Sequence, residues 1–340
     1  LAPAPRRGRF VAAYQLAITI GIFLSDLVDQ ALADQGAWRV MLGVSAVPAL
    51  LLLGAMVPAV ESPRWLVRKG RRDEARATIA RARPWVDSDV RLASIEASLH
   101  DEPPNASWSE VFAPAWRRPL MIGIGLAVFQ QITGINAIIY YSDKIFAAAG
   151  FSSAAAQTQA STWAIGAVNV VATLIAIAFI DRLGRRPLLL AGLVGMTASL
   201  AAVGFAFLSM SKGAAMSSSA GAITLGALVV FIISFAFSLG PVVWTVINEI
   251  FPGRVRGRAV AVATAVNWGS AFLVSEFFLT LVDAIGESAT FWLFAFFCVV
   301  GGIWIYRQVP ETKGRSLEQI QALWGGDARE SAPAPAAVLK

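Results

Sequence analysis

One apolar segment, residues 130–141, is rich in hydrogen-bonding side chains and reads QQITGINAIIYY. Amide side chains both donate and accept hydrogen bonds, so Gln130, Gln131 and Asn136 have the chemistry to bind hydroxyl groups such as those of a sugar. Burying these groups in hydrocarbon is costly unless they face a cavity or a partner. The segment therefore predicts a binding site, and the alternative is a set of hydrogen bonds that holds helices together.

Gly134 lies in the middle of this segment. Successive side chains on a helix are about 100° apart, so Gln131 and Asn136 would not share one face of a straight helix. Glycine permits a break, and a broken helix beside a water-filled cavity is a common way to build a transporter site. We therefore expect the helix to be interrupted at Gly134.

Two tryptophans lie inside apolar segments rather than at their ends, where an aromatic belt would lie. The motif GPVVW at 240–244 predicts a kink just before Trp244, because proline removes a backbone donor and glycine loosens the helix. Trp268 follows Asn267 in the next segment. An indole can stack on the C–H face of a sugar ring while its N–H donates to a hydroxyl, and the alternative is packing alone.

Acidic and basic residues recur in the turns between apolar segments. The residues that could form a latch across these turns are Asp181, Arg182, Arg185, Arg186, Glu249, Arg256 and Glu311. An exposed ion pair contributes only about 0–1 kcal/mol, so a network would be needed to shift a conformational equilibrium. The alternative is a set of solvated charges that only sets the topology.

Membrane-crossing helices are the elements that must position these residues. Hydrophobic residues make up 56% of the 340-residue chain, charged residues 15%, and the mean hydropathy is +0.63. A bilayer core about 30 Å thick requires about 20 apolar residues per helix. The segments that qualify are 10–29, 38–58, 119–142, 161–180, 187–210, 222–247, 259–282 and 289–306. The sequence therefore predicts an all-α integral membrane protein with eight transmembrane helices.

The basic residues are distributed unevenly around these segments. All but three of the 28 Lys and Arg residues fall on one side, the exceptions being Arg39, Lys144 and Lys212. The positive-inside rule places that side, and both termini, in the cytoplasm. Because the charges form no stripe or face, nucleic acid is not an expected partner. The sequence carries no phosphate-binding, metal-binding or catalytic motif, so we expect no enzymatic activity, cofactor or metal.

Two stretches of the chain resemble one another at an offset of 249 residues. The segment IFPGRVRGR at 250–258 matches LAPAPRRGR at 1–9 in its proline and its final RGR, and each copy opens a pair of apolar segments. The repeat predicts that the four helices between 119 and 247 have counterparts ahead of residue 1. We therefore expect the first four of twelve helices to be missing from this chain, and the chain alone to be inactive.

These motifs closely resemble the sugar porter family of the major facilitator superfamily. The resemblance rests on RG at 7–8, ESPRWL at 61–66, GR at 70–71, QQITGINAIIYY at 130–141, DRLGRRPLL at 181–189, GPVVW at 240–244, EIFPxxxRG at 249–257, NW at 267–268 and PETKGRSLE at 310–318. It implies the superfamily fold, in which two six-helix halves rock around a central site, with the eight predicted helices corresponding to helices 5–12.

The resemblance also implies an assignment of regions and residues. Residues 1–58 would end the N-terminal half, 59–118 would form a cytoplasmic linker with short helices at 68–83 and 89–99, 119–308 would be the C-terminal half, and 309–340 a cytoplasmic tail. The implied sugar contacts are Gln15, Gln130, Gln131, Asn136, Tyr140, Asn169, Trp244, Asn267 and Trp268.

The implied activity is transport of a monosaccharide, a hexose or a pentose, by alternating access in a multi-pass protein of the cytoplasmic membrane. The protein would be a facilitator or would use protons as the coupling ion. Two alternatives stay open: a transporter of a polyol such as inositol, and a sugar sensor that does not transport.

Overall fold

The computed structural model describes residues 7–82, 84–100, 107–211, 218–251 and 253–313, and every long element in these ranges is a helix. In chain order the α-helices are α1 (Arg7–Leu32), α2 (Trp38–Val44), α3 (Ala46–Met56), α4 (Pro63–Arg68), α5 (Arg72–Ala82), α6 (Ser88–His100), α7 (Trp108–Val111), α8 (Arg117–Ile132), α9 (Ile135–Tyr140), α10 (Ser142–Ala148), α11 (Ala154–Ala160), α12 (Val168–Leu183), α13 (Arg185–Ser211), α14 (Ser218–Phe237), α15 (Leu239–Ile250) and α16 (Gly253–Gln308). A π-helix at Ser161–Ala167 joins α11 to α12.

The described residues divide into two compact units. The larger contains α1 and everything from Ser107 onward, and the smaller contains α2 to α6. The predicted all-α membrane architecture is confirmed, since seven helical stretches within the described ranges are long and apolar enough to cross a bilayer.

The last of these stretches accounts for two crossings. A straight helix of the 56 residues in α16 would be about 84 Å long, nearly three times a hydrocarbon core of about 30 Å. The helix is interrupted at Gly286, where φ is 81° and ψ is 162°. The described residues therefore contain the eight crossings that hydropathy predicts.

The larger unit is a bundle in which α13 packs against α14 and α16, and α16 against α8. Small residues bring these helices close together: a Cβ added at Gly125 of α8 would lie 2.3 Å from the Trp304 ring of α16. Helix α1 packs against α12 and the π-helix, where the Thr162 hydroxyl donates to the Asp26 carbonyl at 3.1 Å.

Irregularities other than the break at Gly286 also interrupt the described helices of this bundle. Gly134, with φ of 92°, separates α8 from α9, as the sequence predicts. Ser238, with φ of −125° and ψ of −91°, separates α14 from α15 three residues before Pro241, whose missing N–H explains the predicted kink. The π-helix is not predicted from the sequence, and the crossing that contains it begins at Ala154 rather than at residue 161.

The smaller unit contains the predicted pair of short helices as α5 and α6. They pack with α4 around a small core of Leu66, Ala75, Ile79 and Leu92. Helix α4 is an addition to the prediction. It begins at Pro63, and the Ser62 hydroxyl caps it by accepting from the Trp65 N–H at 3.2 Å.

Candidate functional site

Eight of the nine predicted sugar-contact residues line one cavity of about 320 Å³ in the larger unit. They come from α1, α8, α9, α12, α15 and α16, and are Gln15, Gln130, Gln131, Asn136, Asn169, Trp244, Asn267 and Trp268. Residues more than 250 positions apart in the chain are thus brought together by the fold. The volume lies at the small end of the range for ligand sites, about 300–1,000 Å³.

A chain of hydrogen-bonded amides forms one wall of this cavity. The Asn136 amide donates to Gln131 Oε1 at 2.8 Å, and the Gln131 amide donates to Asn267 Oδ1 at 3.1 Å. The Asn267 amide donates in turn to Gln130 Oε1 at 2.7 Å, and the Gln130 amide donates to the Leu239 carbonyl at 2.7 Å. The chain of donors therefore links α9, α8, α16 and α15.

The break at Gly134 is what allows the first of these bonds. Asn136 lies five residues after Gln131, and on a straight helix their side chains would point about 140° apart. With the left-handed conformation of Gly134 between them, the Asn136 amide reaches the Gln131 side-chain carbonyl.

Each buried amide has its orientation fixed by a neighbour. Gln130, Gln131 and Asn267 are all almost fully buried, with 3–6% of their surface exposed. Asn136 is half-buried, and among the described residues its side-chain carbonyl has no hydrogen-bond partner. That carbonyl, together with the second N–H of the Asn136 and Gln131 amides, is available to a ligand's hydroxyl groups. The Asn267 amide also donates to the Ala127 carbonyl at 3.1 Å, and the Gln130 amide to the Gly240 carbonyl at 3.4 Å, so both N–H groups of these two amides are used within the protein.

Aromatic and polar residues complete the cavity. Trp244 is half-buried, while Trp268 has 61% of its surface exposed, which leaves its ring accessible for stacking. Tyr14 and Thr264 also line the cavity and are not among the predicted contacts. Helical spacing would have indicated Thr264, because it lies one turn before Asn267 and hence on the same face.

Tyr140, the ninth predicted contact, lies elsewhere. It lines a second cavity of about 280 Å³, which shares the walls Ile22 and Ile139 with the first. The other polar groups of this second cavity include the carboxylates of Asp26, Asp29 and Asp143. Burial raises the pKa of the Asp143 carboxyl, which lies outside the spanning segments, and Asp29 raises it further while Lys144 opposes the shift.

A second group of predicted residues meets at one end of the bundle, around Glu311. Its two carboxylate oxygens accept from the backbone N–H groups of Arg185, Arg186 and Lys313 at 2.8–3.1 Å. Burial raises the pKa of the Glu311 carboxyl, but these three hydrogen bonds and the charge of Arg185 together hold the pKa below its usual value. Since α13 begins at Arg185, Glu311 caps that helix from a distant part of the chain.

Gly184 makes this approach possible. Its φ is 90°, and an added Cβ would lie 2.9 Å from Glu311 Oε2. The neighbouring Arg185 guanidinium donates to Glu249 Oε1 at 3.0 Å, and the Thr312 hydroxyl donates to Glu249 Oε2 at 2.6 Å. We call Arg185, Glu249, Glu311 and Thr312 the charge network.

The remaining predicted latch residues make other contacts as well, or lie outside the residues whose side chains the structure describes. Arg186 contributes its backbone N–H to Glu311, while its guanidinium carbon lies 4.7 Å from the Tyr306 ring centre and the guanidinium donates to the Tyr306 carbonyl. The Arg256 side chain donates to the Phe251 carbonyl at 3.0 Å. The side chains of Asp181 and Arg182 lie outside the described part of the chain.

Comparison with known proteins connects this geometry to a family. The family model described as "Sugar (and other) transporter" matches residues 1–324. The chain belongs to this family. A relative from Bacillus subtilis, the putative metabolite transport protein YwtG, is 42% identical over 323 residues, covering 94% of this chain and 68% of the relative. The galactose-proton symporter of Escherichia coli is 37% identical over the same share of both chains.

The fold of this chain is that of the major facilitator superfamily. The solved structure of the proton:xylose symporter XylE bound to 6-bromo-6-deoxy-D-glucose is similar, with 30% identity and a TM-score of 0.74. This similarity covers 95% of the present chain and 68% of XylE. The chain thus spans about two thirds of the length of these relatives, and it is a multi-pass membrane protein of a transporter family.

Proposed function

We propose that this protein moves a monosaccharide, a hexose or a pentose, across the cell membrane by alternating access. The observation that carries the proposal is the cavity itself, which eight predicted residues from six helices line. Four of these residues form the connected series of hydrogen-bonded amides. Relatives named as carriers of glucose, galactose and arabinose support the substrate class. The chemistry of the site is binding, since the cavity presents hydrogen-bond donors, acceptors and indole faces.

Both termini lie on the cytoplasmic side in this proposal, as the distribution of Lys and Arg predicts. The charge network, with Asp181, Arg182, Arg186 and Arg256 nearby in sequence, then forms a cytoplasmic gate. The backbone breaks at Gly134 and Ser238 give α9 and α15 freedom to tilt against the rest of the bundle when the sugar binds. Protons are the coupling ion in this proposal, supported by relatives named as proton symporters.

A polyol is the second candidate substrate, because the major myo-inositol transporter IolT of Bacillus subtilis is 35% identical over 328 residues. Inositol, like a sugar, presents a ring of hydroxyl groups to donors and acceptors. The two candidates differ in the ring oxygen, which only the sugar provides.

Equilibrium binding to the purified chain distinguishes them. Intrinsic tryptophan fluorescence would be titrated with glucose, galactose, xylose, arabinose and myo-inositol, for the wild type and for Gln131→Ala. Asn248→Ala is the matched control, because the Asn248 amide donates to the Trp244 carbonyl of its own helix and does not line the cavity. We expect saturable binding of at least one monosaccharide, weakened at least tenfold by Gln131→Ala only. Saturation by myo-inositol and by none of the sugars would favour the polyol, and saturation by none of the five would contradict the proposal.

A further inference from the structure

A large groove lies on the surface of the bundle, separate from the amide cavity. It has a volume of about 770 Å³ and runs between residues 190–198 of α13 and residues 298–307 of α16, with no lining residue in common with the amide cavity. Its walls are aliphatic apart from Thr197, Cys298, Tyr306 and Arg307. Thr197 is satisfied within its own helix, where its hydroxyl donates to the Leu193 carbonyl at 2.7 Å.

The length of the groove matches one leaflet of a bilayer. At a rise of 1.5 Å per residue, the walls are about 12 Å long on α13 and about 14 Å long on α16. Half of a hydrocarbon core of about 30 Å is about 15 Å. The groove is also open to the outside, since Val194 and Ile303 have 71% and 50% of their surfaces exposed. It can therefore take a lipid acyl chain along the membrane normal.

One end of the groove is positively charged. Arg307 lines that end, one residue before α16 ends, and the Arg186 guanidinium lies over the Tyr306 ring beside it. Within the described ranges neither guanidinium forms an ion pair, and the Arg186 guanidinium donates to the Tyr306 carbonyl. No acidic side chain lines the groove. An apolar channel that ends at two arginines complements an amphiphile with acyl chains and an anionic head.

We propose that this groove binds an anionic phospholipid, with an acyl chain between α13 and α16 and the phosphate at Arg307 and Arg186. The Arg186 backbone N–H also donates to Glu311, so the head group lies next to the charge network. Each cationic side chain near a membrane surface increases affinity for anionic lipid about fivefold. The groove is thus a lipid site adjoining the network that the proposed function assigns to the gate.

Native mass spectrometry of the purified, delipidated full chain tests this site without reference to transport. The chain would be titrated with dioleoylphosphatidylglycerol and, separately, with dioleoylphosphatidylcholine. We expect one phosphatidylglycerol to be retained at least fivefold more tightly than phosphatidylcholine. Arg307→Gln should lower the phosphatidylglycerol affinity about fivefold, whereas Arg307→Lys and the control Arg117→Gln, which removes an exposed arginine elsewhere, should not.

The apolar part of the site has its own matched pair of variants. Ala198 and Ala191 are both exposed on α13, but only Ala198 lines the groove, so Ala198→Phe fills it and Ala191→Phe does not. Ala198→Phe should weaken the binding of both phospholipids, and Ala191→Phe should weaken the binding of neither. Chain-free glycerol 1-phosphate should fail to displace phosphatidylglycerol. Equal retention of the two phospholipids by the wild type, or phosphatidylglycerol retention unchanged by both Arg307→Gln and Ala198→Phe, would overturn the proposal.

Discussion

At the scale of single residues, the amide chain combines two roles that the sequence presents as alternatives. The bonds from Gln131 to Asn267 and from Asn267 to Gln130 hold α8 against α16, which is helix packing by polar groups. The same bonds fix the direction in which each amide presents its remaining donor or acceptor. A buried site whose polar groups are already oriented binds hydroxyls without the entropy cost of ordering them.

The bond between Asn136 and Gln131 leads to a prediction about coupled substitutions. We expect Asn136→Ala and Gln131→Ala each to weaken sugar binding at least tenfold, because each leaves a buried polar partner unsatisfied at a cost of about 1–3 kcal/mol. The loss of binding affinity in the double variant should be smaller than the product of the losses in the two single variants, because both substitutions remove the same hydrogen bond at 2.8 Å. Titration of all four proteins measures this coupling. Strictly multiplicative losses would show that the two amides act independently.

At the scale of elements, two glycines decide where helices begin and end. Gly134 breaks the helix that would otherwise point Asn136 away from Gln131, and Gly184 lets Glu311 reach the first N–H groups of α13. In both places φ is near 90°, a region that side chains with a Cβ rarely adopt. Local sequence therefore controls both the cavity and the charge network.

Replacement of Gly134 by alanine should disrupt the cavity. The left-handed conformation costs a residue with a Cβ about 1–2 kcal/mol, and the added Cβ would lie 2.9 Å from the Phe294 ring. We expect Gly134→Ala to lower the unfolding temperature and to weaken sugar binding at least tenfold. Gly257→Ala is the control, because Gly257 is helical and an added Cβ there would meet nothing within 4 Å. Equal effects of the two substitutions on binding would contradict the role of the break.

The cap on α13 should make stability depend on pH. The pKa of the Glu311 carboxyl is held below its usual value of 4.5, so its stabilising effect is present above that pH and is lost as the pH falls through the folded-state pKa. We expect Glu311→Gln to cost about 0.5–2 kcal/mol at pH 7 and less in acid.

Unfolding temperatures of wild type and Glu311→Gln at pH 7 and pH 4 provide the measurement. The difference in unfolding temperature between the two proteins should be smaller at pH 4 than at pH 7. Asp283→Asn, at an exposed position of α16, controls for the loss of one negative charge. A gap that stays constant would show that the charge of Glu311 does not stabilise α13.

At the scale of the whole molecule, the sequence predicts what residue type and periodicity determine. Hydropathy finds the eight crossings in the described part of the chain, because each needs an apolar run of membrane length. The amides and indoles of the cavity are conspicuous in such runs. The pairing of helices is determined by packing between distant segments. The placement of Tyr140 in the second cavity, the meeting of Asp26, Asp29 and Asp143, and the lipid groove therefore emerge only from the structure.

The central claim, that the amide cavity is where the sugar binds, is tested most directly by substrate protection of a cysteine inside it. Thr264→Cys in a Cys298→Ala background leaves one thiol, which lies in the wall of the cavity on the same helix face as Asn267. The sugar that saturates binding should slow labelling of this thiol by a small thiol reagent at least fivefold, and adding Gln131→Ala should abolish the protection at the same sugar concentration. Labelling at the same rate with and without saturating sugar would contradict the claim.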